Sequence, residues 1–468
     1  MSARLALVLL LGVPTIAAAD RPRSVRVPTP PGGFASIDVV PNILFLNRCR
    51  GGCTIKFGTT NDARTHTSTI PNGSGMFQMT EFAWGDGEWN ELMACMRQVW
   101  SPFGVTVTDV QPATTGHYNE DIIAGTPAEL NLGGGIGGIA PVGLGCTPVN
   151  HAISFSFANI YTNAFERVND ICWTAAQEIA HTYGLDHSFS LPGGISACND
   201  PMTYRTDCGG RKFFRDAAAT CGEYEGRECA CGFTQNTHRW LTTQLGAGTP
   251  ITTATAEITT PAPGTTTIAN GAVVIAAAEA DRGVERVELL LNGYRWAEVP
   301  GVPFGRTGQP ASSYAFTLPA NVPDGVIDIE VRALDDLDVA GSSKLTVTKG
   351  APCATADSCL EGQLCEGGKC FWTEPTGAIG DDCTYPQFCV SGQCLAHGDG
   401  EFCTQSCSVG SPATCPAGFA CVPFAGGGAT EGRCFEPIES GCCSSSRSTP
   451  WPAFLLGALV LGMLARRR

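Results

Sequence analysis

The residues best suited to chemistry are concentrated in Cys172–Ser188, "CWTAAQEIAHTYGLDHS". On a helix, residues four apart project from the same side, so Gln177 and His181 point at one spot. Glu178 sits one step round, within reach of a water molecule held there. Gly184 can take the left-handed conformation that ends a helix and turns the chain sharply. That turn brings His187 back to complete a three-ligand face, with one position left open for water and substrate, as catalytic zinc requires. The chemistry on offer is metal-assisted hydrolysis, with Glu178 as the base that deprotonates water. Gln177 is the weak member, because an amide oxygen is a harder and poorer zinc donor than imidazole. Three arrangements are open: Gln177 binds through its carbonyl, Asp186 swings in as a substitute ligand, or no metal binds and the surface serves recognition. Thr174-x-x-Gln177 also fits a capping box, but Asp170 is a credible N-cap one turn earlier, which places Gln177 in the helix interior.

Gln177–His187, "QEIAHTYGLDH", differs at its first position from His-Glu-x-x-His-x-x-Gly-x-x-His, and so resembles the signature of the metzincin zinc metallopeptidases. "CNDPMTY" supplies Met202 where that family has its Met-turn beneath the metal. Tyr204, two residues on, matches the extra Tyr ligand of astacin-like and serralysin-like members, whose phenol binds zinc at rest and steadies the oxyanion during turnover. The resemblance covers roughly Ile43 to Leu245. It implies an α+β metzincin-like catalytic domain over residues 36–247 that uses zinc on a protein or peptide substrate. Glu178 and Tyr204 are then catalytic, and Gln177, His181 and His187 are the ligands. It further implies that "HAISFSFAN" is the edge strand that pairs with extended substrate. The alternative is a catalytically inactive surface protein that keeps the fold for protein binding or adhesion.

These residues need elements to position them. "EWNELMACMRQVW" places Trp89, Leu92, Met93, Met96 and Trp100 on one face of an amphipathic helix. "GVTVTDV" reads as a strand, and "HAISFSFAN" as a half-buried one. "GGGIGG" (Gly133–Gly138) fits a nucleotide-loop pattern only formally and reads as a flexible loop. In "NRCRGGC", Cys49 and Cys53 read as disulfide-bonded, locally or elsewhere, in preference to a thiolate resting on the metal. "CGEYEGRECACG" and Cys208 read as disulfide staples. His66, His117, His151, His238 and His397 lack partner spacing, and no Gly-x-Ser-x-Gly elbow is present.

Beyond a Thr/Pro linker (248–266), "VERVELLLNG" and "GVIDIEVRALDD" alternate, and Ile327, Ile329, Val331 and Ala333 face one way. With turns such as Asn292-Gly293, they predict an all-β immunoglobulin-like sandwich over 267–348. Residues 353–434 hold twelve of the 24 cysteines in two clear Cys-x5-Cys units and a looser third. They predict a disulfide-rich region of small stapled loops, since Cys-x2-Cys pairs with partner histidines are missing.

"MSARLALVLLLGVPTIAAAD" predicts a secretory signal peptide over 1–19, followed by a Pro-rich leader (20–35) unlikely by composition to fold by itself. The end of the chain carries Cys442 and Cys443, a Ser-rich spacer, a short apolar run and three arginines. This resembles the C-terminal sorting signal of myxobacterial surface proteins over 439–468. It implies a bacterial exported protein at the cell surface, in the outer membrane or outside the cell. The membrane would be met through the tail before processing, with Cys442 or Cys443 involved; an ordinary tail anchor is the alternative. A net charge of -15 argues against nucleic acid as a partner.

Overall fold

Trp89, Leu92, Met93, Met96 and Trp100 form the buried face of helix α1 (Gly85–Trp100) in the computed structural model, which describes residues 23–28, 39–205, 211–303, 312–409, 415–423 and 431–437. That face packs on helix α2 (Arg167–Thr182), and a Cys95–Cys172 disulfide joins the two. A third helix, α3 (Thr237–Leu245), buries Leu241 in the same core.

Behind the helices lies a six-stranded sheet. Its strands are β1 (Arg23–Pro28), β2 (Ile43–Asn47), β3 (Thr106–Thr108), β4 (Tyr118–Ile123), β5 (Ile136–Val142) and β6 (Ile153–Ser156). They lie in the order β1-β5-β6-β4-β2-β3. β2 runs parallel to β3 and β4, and β4 parallel to β6; β5 reverses, antiparallel to β6, and β1 runs parallel to β5 and shares its reversal.

Two strand assignments change. The expected edge strand, "HAISFSFAN", contains β6, which is hydrogen-bonded on both sides and buried along its whole length, as an internal strand must be. β1 takes the outer position with β5 beside it, and the second half of "GGGIGG" begins β5, so only Gly134 and Gly135 form a turn there. A glycine-rich strand has no apolar alternation to read, and it marks close backbone approach instead. The leader is also not wholly irregular. Arg23–Pro28 becomes a strand by pairing with β5.

The Thr/Pro stretch read as a linker contains a strand as well. Ala254–Thr260 alternates exposure along "ATAEITT" and pairs with Val273–Ala280. Its threonines are β-branched and favour extended backbone. The sandwich sets this three-stranded sheet against a five-stranded one. Ile327, Ile329, Val331 and Ala333 are all buried between them. Asn292 and Gly293 both take positive φ, 50° and 89°, in the tight turn of a hairpin.

All twelve cysteines of the C-terminal region are disulfide-bonded. They form three modules of four, each with its first Cys paired to its third and its second to its fourth: 353–365 with 359–370, 383–394 with 389–403, and 407–421 with 415–434. The looser third unit thus shares the pairing of the first two. The chain divides into compact units at Met1–Phe371 and Trp372–Arg468, so the first module falls in the same unit as the sandwich. There Asn292 Nδ2 donates to the Cys370 carbonyl at 2.8 Å. The signal segment, Cys208, and the tail with Cys442 and Cys443 lie outside the described residues. Among the described residues no helix is long and apolar enough to cross a membrane.

Candidate metal centre

α2 begins at Arg167, three residues before Asp170. Asp170 is therefore a first-turn residue and not the N-cap; its carbonyl accepts from Thr174 Oγ1 at 2.9 Å. Gln177 lies deep in the helix as expected, with His181 one turn on. The helix closes at Tyr183, and Gly184 follows with φ of 90°. A Cβ at Gly184 would lie 2.1 Å from the Cys146 carbonyl oxygen, so glycine is required for space as well as for conformation.

The reversal brings the two histidines together. His181 Nε2 and His187 Nε2 are 3.0 Å apart, with the rings nearly perpendicular at 86°. Each ring is fixed from its other side. His181 Nδ1 donates to the Leu185 carbonyl at 2.8 Å, and His187 Nδ1 donates to Glu223 Oε1 at 2.9 Å. A carbonyl and a carboxylate can only accept, so both Nδ1 atoms carry a proton and the two Nε2 atoms face each other. Two nitrogens at this distance attract only through a proton or a metal cation shared between them. Tetrahedral zinc with nitrogens at 2.0–2.1 Å separates them by about 3.3 Å, close to what is seen.

Glu223 was missed in the sequence, where its segment reads only as staples. The staples are present: Cys221–Cys229 closes the loop and Cys146–Cys231 ties it beneath the helix turn. The loop carries Glu223 to His187 and Arg227 to both Glu223 and Asp186. Arg227 Nη2 donates to Glu223 Oε1 at 2.7 Å, and Nη1 and Nη2 reach the Asp186 carboxylate at 2.6 and 2.9 Å. The hydrogen bond from His187, and then that from Arg227, hold the Glu223 carboxyl far below the usual carboxylate range. A bracketing pair of cysteines around three acids and an arginine is the one local signal that could have pointed here.

Asp186, considered as a substitute ligand, is committed elsewhere. Besides Arg227 it accepts from the backbone N–H of His187 and of Ala230, at 2.7 and 2.9 Å. Asp186, His187 and Glu223 do offer atoms within 4.8 Å of one another, but the Arg227 guanidinium already supplies the positive charge for both carboxylates.

Gln177 is buried, and its Nε2 has no hydrogen-bond partner. The two ends of an amide are isosteric, and with them exchanged the unsatisfied atom becomes an oxygen that a cation can satisfy. Met202 is fully buried in the core shared by α1 and α2. Its N–H donates to Asp200 Oδ1 at 2.8 Å, and its carbonyl accepts from Ser188 N–H just beyond His187. The half-buried Tyr204 ring lies 4.6 Å from the His187 ring. The residues present thus fit a zinc ion with two anchored imidazoles, one amide and a nearby phenol.

Glu178 is fully buried. Its carboxylate lies over Gly138 of β5, where an added Cβ would come within 2.5 Å of Oε1. Burial, with the Asp121 charge adding to it, holds its carboxyl well above the usual range. Of the other histidines, His66 faces Glu120 at 3.4 Å, and His117 stacks on His151.

Compared with known proteins, the chain matches no family model and no curated protein. Among solved structures, it is similar over 29% of its length to fibronectin(III)-like modules of Clostridium thermocellum CbhA, at 18% identity and a TM-score of 0.17. A lytic polysaccharide monooxygenase of Jonesia denitrificans matches 27% of the chain at 14% identity and a TM-score of 0.16. The matches span 60% and 75% of those chains, and likenesses this slight leave the metal centre to be judged on its own geometry.

Proposed function

We propose that residues 36–247 form a metzincin-like zinc endopeptidase that hydrolyses peptide bonds in proteins, on a chain exported from a bacterial cell. The observation that carries the reading is the convergence of two Nε2 atoms to 3.0 Å, each ring fixed by an acceptor on its Nδ1. Support comes from the Gly184 turn, the buried Met202 and the Tyr204 ring beside His187. Export rests on the signal-like start, the sorting-like tail and the many disulfides, which persist in oxidising compartments.

His181, His187 and Gln177 would hold the metal. When bound, zinc supplies Lewis-acid polarisation of a scissile carbonyl and of water. Glu178 takes the proton from that water and delivers it to the leaving amine. The Tyr204 hydroxyl donates a hydrogen bond to the developing oxyanion.

The test is zinc content and casein hydrolysis of the purified full chain, with Glu178→Ala and Gln177→His beside it. Stoichiometric zinc and chelator-sensitive cleavage are expected. Glu178→Ala should keep the metal and lose about 10²–10⁴-fold in rate, while Gln177→His should bind zinc more tightly. A folded chain that takes up no zinc and cleaves nothing refutes the peptidase and favours a protein-binding role.

A further inference from the structure

Four aromatic rings run outward from the metal centre in series. The His181 and His187 rings are 4.6 Å apart, His187 and Tyr204 4.6 Å, and Tyr204 and Tyr224 5.8 Å, the last pair meeting edge to face at 71°. His181 is fully buried, whereas Tyr224 is 69% exposed. A ring that open adds little stability by burial, so what it touches matters more than what it covers. It touches the ring of Tyr204.

Tyr204 needs such a neighbour. Its backbone is fixed by the turn that carries Met202: the Met202 N–H donates to Asp200 Oδ1 at 2.8 Å, and the Arg205 N–H to Thr203 Oγ1 at 3.1 Å. Backbone bonds leave the ring its choice of staggered χ1 wells, which place the hydroxyl several ångström apart. A donor to the oxyanion must stand within about 2.7–3.1 Å of it, so one well serves and the others do not. Tyr224 is held firmly enough to select that well, because it stands on the loop that Cys221–Cys229 closes. There the Cys221 and Arg227 N–H groups donate to one another's carbonyls at 3.0 and 2.6 Å, and the Gly222 N–H donates to the His187 carbonyl at 3.0 Å. A Cβ at Gly222 would lie 1.8 Å from the Glu225 carbonyl oxygen, so the turn is closed too tightly for a side chain.

We infer that Tyr224 is a positioning residue for Tyr204: the Cys221–Cys229 loop holds its ring against the Tyr204 ring and so keeps that phenol beside His187. One loop then sets two groups at once, the His187 ring through Glu223 and the Tyr204 hydroxyl through Tyr224. The catalytic consequence rests on the peptidase reading; the placement of the ring does not.

The test reads the ring first and the rate second, both in the full chain. With isotope-labelled histidines, the ring current of Tyr204 displaces the His187 ring-proton resonances, and Tyr204→Ala identifies that displacement by abolishing it. Tyr224→Phe keeps the ring and should leave the displacement as it is in the parent, while Tyr224→Ala should lose most of it. On a fluorogenic casein peptide, Tyr224→Ala should lower kcat about 2–10-fold and leave KM and zinc content unchanged. In a Tyr204→Phe background no hydroxyl remains to be placed, so there the same change should leave kcat as it was. A displacement missing from the parent, or intact in a folded Tyr224→Ala chain, overturns the inference. So does a loss of kcat that persists undiminished in the Tyr204→Phe background. Loss of the displacement in Tyr224→Ala, when the parent takes up no zinc and cleaves nothing, sustains the positioning and refutes the peptidase.

Discussion

A carboxylate that accepts a hydrogen bond from the Nδ1–H of a histidine fixes its tautomer and strengthens its Nε2 as a donor. Glu223 does this for His187, and Arg227 keeps Glu223 ionised and in place. Glu223→Gln keeps the size and an acceptor but removes the charge, so zinc affinity should fall about 10–100-fold, measured by competition with a chelating dye. Equal affinity in the two proteins would show that the loop only packs against the ring. Gln177, Glu178, His181, Gly184 and His187 were legible in the sequence because a helix and one turn fix their mutual placement locally. Glu223 was not, because it reaches the site from another part of the chain through a disulfide-closed loop whose path no spacing rule gives. Asp186 shows the converse: adjacency to His187 suggested a ligand, and only the distant Arg227 reveals its role.

Among the elements, β4 is the one least readable from its residues. "YNEDII" puts Asn119, Glu120 and Asp121 in the middle of a sheet where every position is buried. Polarity hides the strand from any periodicity argument; what stabilises it are specific partners. Ser154 and Ser156 donate to Asp121 at 2.7 and 2.8 Å, and Asn47 donates to Glu120 at 2.7 Å. Burial pushes Glu120 up to about 8, the neighbouring Asp121 charge adding to the rise, and Asp121 up to about 7. The folded state therefore keeps protons that the unfolded chain has released between about pH 4.5 and 8. Their contribution to stability is full at the acid end of that window and is lost as pH rises through it, by up to ~1.4 kcal/mol per pH unit for one proton. Thermal unfolding of Glu120→Gln between pH 5 and 8 should show a shallower decline than the parent; parallel curves would exclude Glu120 as a source. By contrast α1 and the sandwich strands were legible, since their apolar residues recur at a fixed period against a single core.

At the scale of the molecule, the helix–sheet domain and the sandwich are joined by buried charge. Arg282 donates to both oxygens of Asp336 at 2.6 and 2.9 Å and to the Phe214 carbonyl at 2.7 Å, while Arg215 Nη1 donates to the Arg282 carbonyl at 2.6 Å. The Arg215 backbone N–H in turn donates to Asp200, the residue that holds the Met202 turn. The sandwich thus buttresses the turn that carries Met202 beside the candidate metal centre, which its reading as a separate domain behind a Thr/Pro linker did not reveal. Arg282→Ala should cost about 3–5 kcal/mol in denaturant unfolding, towards the lower figure because Arg215 remains 3.6 Å from Asp336. A loss under ~1 kcal/mol would mean that the joint is solvated in practice. The C-terminal cysteines carry a different lesson. Each module closes on itself, with no bond from one module to the next. Four sulfurs allow three pairings, so oxidative maturation becomes a search among three alternatives, repeated in each module, in place of one search over twelve sulfurs. An error in one module stays local, and the number of modules can change in descent without rewriting the search for the others.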